Sequence, residues 1–172
     1  MVFSLGLLAS EKPNIIFLFT DDQSYTAMGW MGNDEIKTPH MDKLGADGVI
    51  FDRHYNTPAI CMASRACTMT GMHEYKAGCN FNHGSITQEK FMKSYPVLMK
   101  KAGYYTGFAG KFGFPVSAEA TTSVKHNTYE LLPVDQFDDW AGGTDQTKYA
   151  TAENKYIKQY AKKYPHSTRA YG

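Results

Sequence analysis

The stretch Cys61-Met62-Ala63-Ser64-Arg65-Ala66-Cys67-Thr68-Met69-Thr70-Gly71 decides how this chain is read. It places a thiol at the front of a predicted helix and an arginine one turn further along. Residues four apart share one helix face, so the Arg65 guanidinium can reach back to whatever Cys61 becomes. A helix N-terminus also presents free N–H groups and a partial positive charge, which suits an anionic group.

Simpler readings compete with a reactive Cys61. A single cysteine is ordinarily a small buried hydrophobe. A cysteine phosphatase would carry its arginine after a longer, glycine-containing anion loop, and Arg65 comes too soon. A papain-like nucleophile needs a partner histidine, whose place in space a sequence does not supply.

Upstream, Asn14-Ile15-Ile16-Phe17-Leu18-Phe19-Thr20 is an unbroken apolar run rich in β-branched and aromatic residues. It reads as a buried parallel strand. Asp21-Asp22-Gln23 then falls at its C-terminal end, where open α/β sheets place their ligand sites. Two adjacent carboxylates repel each other, and a hard cation such as Ca²⁺ or Mg²⁺ would relieve them. The plain alternative is a solvated turn that caps the next segment.

A third stretch, Ala109-Gly110-Lys111-Phe112-Gly113, follows a strand-like run from Tyr104 to Phe108. A P-loop reading of Gly110-Lys111 fails, because the earlier glycine it needs is Tyr105 and Phe112 cannot ligate magnesium. Lys111 is then either an anion contact at a strand end or an ordinary surface lysine.

Together these stretches resemble the formylglycine-dependent sulfatases. The signature of that family is Cys or Ser, any residue, Pro or Ala, Ser and Arg, followed after a short gap by Leu or Met, Thr and Gly. Every defined position is met between Cys61 and Gly71. The family opens with Lys-Pro-Asn, an apolar strand and Asp-Asp, matched here by Lys12-Pro13-Asn14 and by Asp21-Asp22. Its Gly-Lys-Trp-His pattern is met by Gly110 and Lys111, with Phe112 replacing the Trp and Gly113 standing where a pocket histidine would be.

The resemblance implies a site. Cys61 would be converted by a formylglycine-generating maturation enzyme to an aldehyde whose hydrate is the nucleophile and also a metal ligand. Asp21 and Asp22 would bind Ca²⁺, with Mg²⁺ as the alternative. Arg65 would hold the hydrate, and Lys111 would contact the sulfate. Since Gly113 brings no imidazole, His83 is the candidate substitute donor, its bland alternative being a loop histidine; for His73 the bland reading is the better one.

The rest of the chain follows an alternating order. Thr38-Pro39 reads as a helix start, and Gly48 to Tyr55 as a strand leading by Asn56-Thr57-Pro58 to Cys61. Ser94 to Gly103 reads as a helix closed by glycine. Repeated strand–helix order predicts an α/β fold, a parallel-rich sheet flanked by helices with right-handed crossovers. Ser117 to Asn127 and Asp135 to Asp145 read as loops, and Glu153 to Tyr164 as an amphipathic helix whose aromatic stripe packs on a core.

Composition bounds the function. At 172 residues the chain is one domain's worth. A net charge of +1 without a dense basic cluster argues against a nucleic-acid partner. Three cysteines make no disulfide framework. Val2 to Ser10 is apolar, ends in small residues and is far too short to span a bilayer; it reads as a clipped signal peptide or a plain tail, hence a periplasmic or secreted protein.

Residues 12–172 are expected to be the N-terminal part of an alkaline phosphatase-like sulfatase fold, truncated before the remaining metal ligands, with 1–11 a signal-peptide remnant. The expected function is a sulfuric ester hydrolase acting on a sulfated carbohydrate. The alternatives are an inactive fragment that retains cation or glycan binding, and a phosphonate or phosphate ester hydrolase of the same superfamily.

Overall fold

Parallel strand pairing sets the architecture. The computed structural model describes residues 12–80, 84–120, 131–143 and 155–165. The chain divides into two units, Met1–Ile50 and Phe51–Gly172.

Among the described residues of Met1–Ile50, the regular elements are a 3-10 turn at Gly29–Met31 and helix α1, Pro39–Asp47. Helix α1 begins as the sequence predicts, with Pro39 in the first turn, where a missing N–H costs nothing. Thr38 stands at the N-cap, yet its hydroxyl caps no helix amide. It accepts from the Gly29 amide at 2.9 Å and donates to the Asp42 carboxylate at 2.9 Å, tying the 3-10 turn to the helix.

Two predicted strands are corrected. Residues 14–20 join no ladder among the described residues. Ile16 and Leu18 are 82% and 76% exposed. An apolar run becomes a buried strand only with neighbours at its edges and cover on its faces, and neither α1 nor the 3-10 turn provides a ladder. Over 48–55 the polar pair Asp52-Arg53 makes a turn instead of continuing a strand.

Phe51–Gly172 carries α2 (Cys61–Thr70), α3 (Glu74–Ala77), β1 (Ile86–Thr87), α4 (Gln88–Phe91), α5 (Tyr95–Lys101), β2 (Gly107–Lys111), β3 (Val116–Ser117), β4 (Asp139–Gly143) and α6 (Lys155–Lys163). A 3-10 turn at Val134–Gln136 precedes β4. Strand β1 pairs parallel with β3, and β2 parallel with β4, with Phe108 opposite Trp140 and Lys111 opposite Gly143. The predicted parallel α/β order holds, as two separate two-stranded sheets among the described residues.

Strand β2 starts later than the predicted run from Tyr104. The Tyr104 amide still bonds to the Met99 carbonyl at 3.1 Å, closing α5, and the Thr106 amide bonds to the Asp138 carboxylate at 2.8 Å. Neither N–H is free for a ladder, so pairing opens at Gly107. Strand β4 corrects the loop predicted over Asp135 to Asp145. Its glycines look like punctuation but serve packing: a Cβ on Gly142 would meet the Phe108 ring at 2.7 Å. The predicted loop from Ser117 begins inside β3 at its first residue, and 121–127 lie outside the described residues.

The core of this unit is aromatic. Phe112 and Phe114 stand 4.2 Å apart between ring centroids, and Phe108 stacks on Trp140 at 4.8 Å. Met62, Ala66 and Met69 of α2 join Ile86, Phe91 and Val97 around these rings. Helix α6 turns Tyr156 onto Trp140, edge to face at 6.3 Å, so this member of the aromatic stripe packs on the core as predicted, while Tyr160 and Tyr164 face each other at 4.8 Å. Among the described residues no helix is long and apolar enough to cross a membrane.

Candidate functional site

Helix α2 presents its first turn after an extended Ile60, and ends at Gly71, whose φ of 67° turns the chain out of the helix. Cys61 is the first helical residue, half-buried and free of any disulfide. The approach to it is held by Asn56, which donates to the Ser64 hydroxyl at 2.9 Å and accepts from it at 3.3 Å. Sequence reasoning passed over Asn56. The signal on offer, a polar residue shortly before a helix serine, carries little without the contact.

Arg65 is 8% exposed and Lys111 is 8% exposed, two buried cations brought together in the second unit. Arg65 donates from Nη1 to the backbone carbonyl of Lys111 at 2.6 Å. The strand end and the helix face are thereby joined, with Lys111 the last residue of β2. Phe112 lies in the core at 1% exposure, so the aromatic at this position serves packing. Gly113 lies against both cations: a Cβ there would stand 2.7 Å from Arg65 Cδ and 3.4 Å from Lys111 Cε.

The other thiols differ in setting from Cys61. Burial pushes the Cys79 thiol up to about 12, and nearby Cys67 and Glu74 add to it. Burial likewise raises Cys67, with Glu74 contributing. Both stay protonated at neutral pH and are poor nucleophiles.

Asp21 and Asp22 lie in the first unit, both exposed. Asp22 has a φ of 56°, a left-handed backbone that aspartate tolerates better than most residues. Their adjacent carboxylates are hard oxygen donors, the chemistry Ca²⁺ and Mg²⁺ take. Among the described residues no group of three or more His, Cys, Asp or Glu is placed to hold a metal ion. The pair matches a hard cation in donor type, and two carboxylates would make up only part of such an ion's shell. His83 lies outside the described residues, and His73 is exposed at the N-cap of α3 without a side-chain cap bond.

Residues 13–171 match the Sulfatase family model, nearly the whole chain, and the protein belongs to the sulfatase family. It is 42% identical over 102 residues to an ulvan-active sulfatase of Formosa agariphila, covering 59% of this chain and 20% of that protein. It is 36% identical over 103 residues to an N-acetylglucosamine-6-O-sulfatase of Bacteroides thetaiotaomicron, covering 60% of this chain and 18% of that protein. A steryl-sulfatase of Rattus norvegicus is 30% identical over 125 residues, covering 67% and 22%. The chain spans about a fifth of the length of these curated relatives.

Proposed function

We propose that the protein is, within its longer parent, a sulfuric ester hydrolase that acts on a sulfated carbohydrate through formylglycine at position 61 and a divalent cation. The observation that carries this reading is the joining of Arg65 to Lys111 on the helix that begins at Cys61. Family membership supports the reaction class. The carbohydrate substrate is favoured because relatives at 42% and 36% identity are named for ulvan and for N-acetylglucosamine-6-O-sulfate chemistry.

Formylglycine at position 61, once formed by a maturation enzyme, would supply a nucleophilic hydroxyl of its hydrate to displace the alcohol from sulfur, and a second hydroxyl whose loss of a proton would restore the aldehyde as sulfate leaves. The cation supplies charge stabilisation at the sulfuryl oxygens. Asp21 and Asp22 would hold it, with Ca²⁺ the first choice and Mg²⁺ the second, and position 61 would contribute a further oxygen. Lys111 would bind a sulfuryl oxygen, and Arg65 would orient position 61 while its own guanidinium rests on the Lys111 carbonyl. Charges fixed before reaction need no reorganisation as the transition state forms. His83 would give the leaving alcohol its proton in place of the imidazole that position 113 lacks.

By the same reading, residues 12–172 are the first part of the catalytic domain. The apolar run Ile15–Phe19, exposed in its unit, would find its ladder in strands further along the parent. Residues 1–11 would be the remains of an export signal and the protein periplasmic or secreted.

The test is co-expression of the full-length parent with a formylglycine-generating enzyme, followed by peptide mass spectrometry. The α2 peptide should lose sulfur, gain oxygen and become reactive to hydrazides, and Cys61→Ala should abolish turnover of sulfated oligosaccharides. An intact Cys61 thiol beside a converted control substrate overturns the reading.

A further inference from the structure

We infer that Gly113 is a positioning residue: its missing side chain gives Arg65 the volume from which that arginine grips the end of β2. This deepens the proposed function and rests on it for the identity of the anion.

Position 113 is constrained twice. Its φ of 82° is a backbone that L side chains rarely adopt, and an added Cβ would lie 2.7 Å from Arg65 Cδ. Real Cβ atoms essentially never show such a contact, so something must move. The atom in the way is not a loose tip. Cδ lies in the middle of the arginine side chain, the residue is 8% exposed, and Nη1 is bonded to the Lys111 carbonyl at 2.6 Å. A methyl group at 113 must either break that bond or shift the turn that carries Lys111, whose Cε is 3.4 Å from the same point.

Left-handed glycines of this unit differ in what surrounds them: a Cβ on Gly84 would meet the backbone carbonyl oxygen of Gly78 at 2.0 Å, whereas at Gly113 the neighbour is a side chain. Gly71 at φ 67° and Gly110 at φ 95° have nothing within 4 Å of an added Cβ. Those sites ask only for backbone freedom. Gly113 asks for that and for emptiness on the side facing Arg65. The absent side chain at 113 and the buried arginine at 65 are two halves of one arrangement.

A double-mutant cycle on the full chain tests this, with urea midpoints for Gly113→Ala, Arg65→Ala, the double variant, and Gly71→Ala as the control for backbone strain alone. Gly113→Ala should lose more stability than Gly71→Ala, and the excess should vanish in the Arg65→Ala background. Titration with inorganic sulfate supplies the readout that a purely structural role would leave alone. Sulfate should bind Gly113→Ala about tenfold more weakly than wild type, the scale of one charge-assisted hydrogen bond, and Gly71→Ala as wild type.

Should Gly113→Ala not fold, Gly113→Asn keeps the Cβ while easing the left-handed backbone. Its recovery on adding Arg65→Ala supports the inference. Failure to fold in both backgrounds overturns it, since the cost then lies in the backbone. Strict additivity, or wild-type sulfate affinity in a folded Gly113→Ala, also overturns it. Coupling without any sulfate binding in the wild type sustains the packing claim and sinks the sulfate reading instead.

Discussion

Tyr164 donates its phenol to the Asp139 carboxylate across 2.7 Å, joining the residue that follows α6 to the first residue of β4. Lys163 pairs with the other carboxylate oxygen. Tyr105 donates to the same carboxylate at 2.5 Å from the segment before β2. Next to it, Asp138 bonds the Thr106 amide and pairs with Lys100 of α5 at 3.0 Å. Adjacent aspartates thus fasten two helices to the entry end of the β2–β4 pair, the end opposite Lys111.

The Asp139 carboxyl carries a pH signature. Partial burial pushes it up, but bonds from Lys163, Tyr105 and Tyr164 outweigh this and hold it at about 2. A carboxyl held below its unfolded value of about 3.9 stabilises the fold fully above that pH. The stabilisation is lost as pH falls through about 2. Asp139→Asn should therefore lower the unfolding free energy at pH 7, read from urea titration, by on the order of 1 kcal/mol, modest because Lys163 is half exposed. Wild type and variant should converge as pH drops from about 4 towards 2. A gap that persists at the acid end would show that Asp139 acts by shape rather than charge.

The thiols should sort themselves by reactivity. Cys67 and Cys79 are both raised, Cys79 to about 12, so each is protonated at neutral pH. Timed alkylation with peptide mapping at pH 7 should label the half-buried Cys61 and, more slowly, Cys67, and leave the fully buried Cys79 until the protein unfolds. Co-expression with the maturation enzyme should remove the Cys61 label and leave the others unchanged. Cys79 labelled ahead of Cys61 in the folded chain would contradict the burial on which this rests.

What could be read in the sequence divides along local and non-local lines. Helix α2 was legible because the residues that make it lie within it. So was α5, with Pro96 near its start, lysines in its last turn and Gly103 beyond. Strand β2 was misplaced because Tyr104, Tyr105 and Thr106 look like strand residues, while two of their amides are claimed by Met99 and Asp138. Strand β4 was missed because its glycines signal a loop, and the Phe108 ring that requires Gly142 to be bare is set by cross-strand pairing. The site followed the same rule. Arg65 and Lys111 each stand out by motif as candidates, but the guanidinium gripping a carbonyl 46 positions away is not visible in the sequence.

Phe112 gives a prediction that separates packing from resemblance. The family pattern has tryptophan at this position. Here Phe112 is 1% exposed, with Phe114, Trp140 and Phe108 at 4.2, 5.3 and 5.4 Å. A larger ring would press on these three neighbours. Phe112→Trp should cost about 1–3 kcal/mol by overpacking, and Phe112→Ala about 3–5 kcal/mol through the cavity left behind. Denaturant midpoints with unchanged slopes would measure both. A Phe112→Trp variant as stable as wild type would mean that the aromatic cluster accommodates the family residue after all.

The last prediction concerns the cation. Ca²⁺ takes six to eight oxygen ligands in general, and sites with fuller ligand sets outside cells bind it at only about 10⁻⁴–10⁻³ M. In this chain the candidate donors are the paired carboxylates of Asp21 and Asp22, and the described residues form no larger acidic or histidine cluster. Calorimetric titration of residues 1–172 should therefore give a Kd on the order of 1 mM or weaker, with water completing the shell. Asp22→Asn should weaken it further, because removing one of two adjacent charges also removes the repulsion that the cation relieves. The longer parent should bind far more tightly if its later segments bring the missing oxygens. Micromolar binding by residues 1–172 alone, abolished by Asp22→Asn, would show that this chain completes its own site.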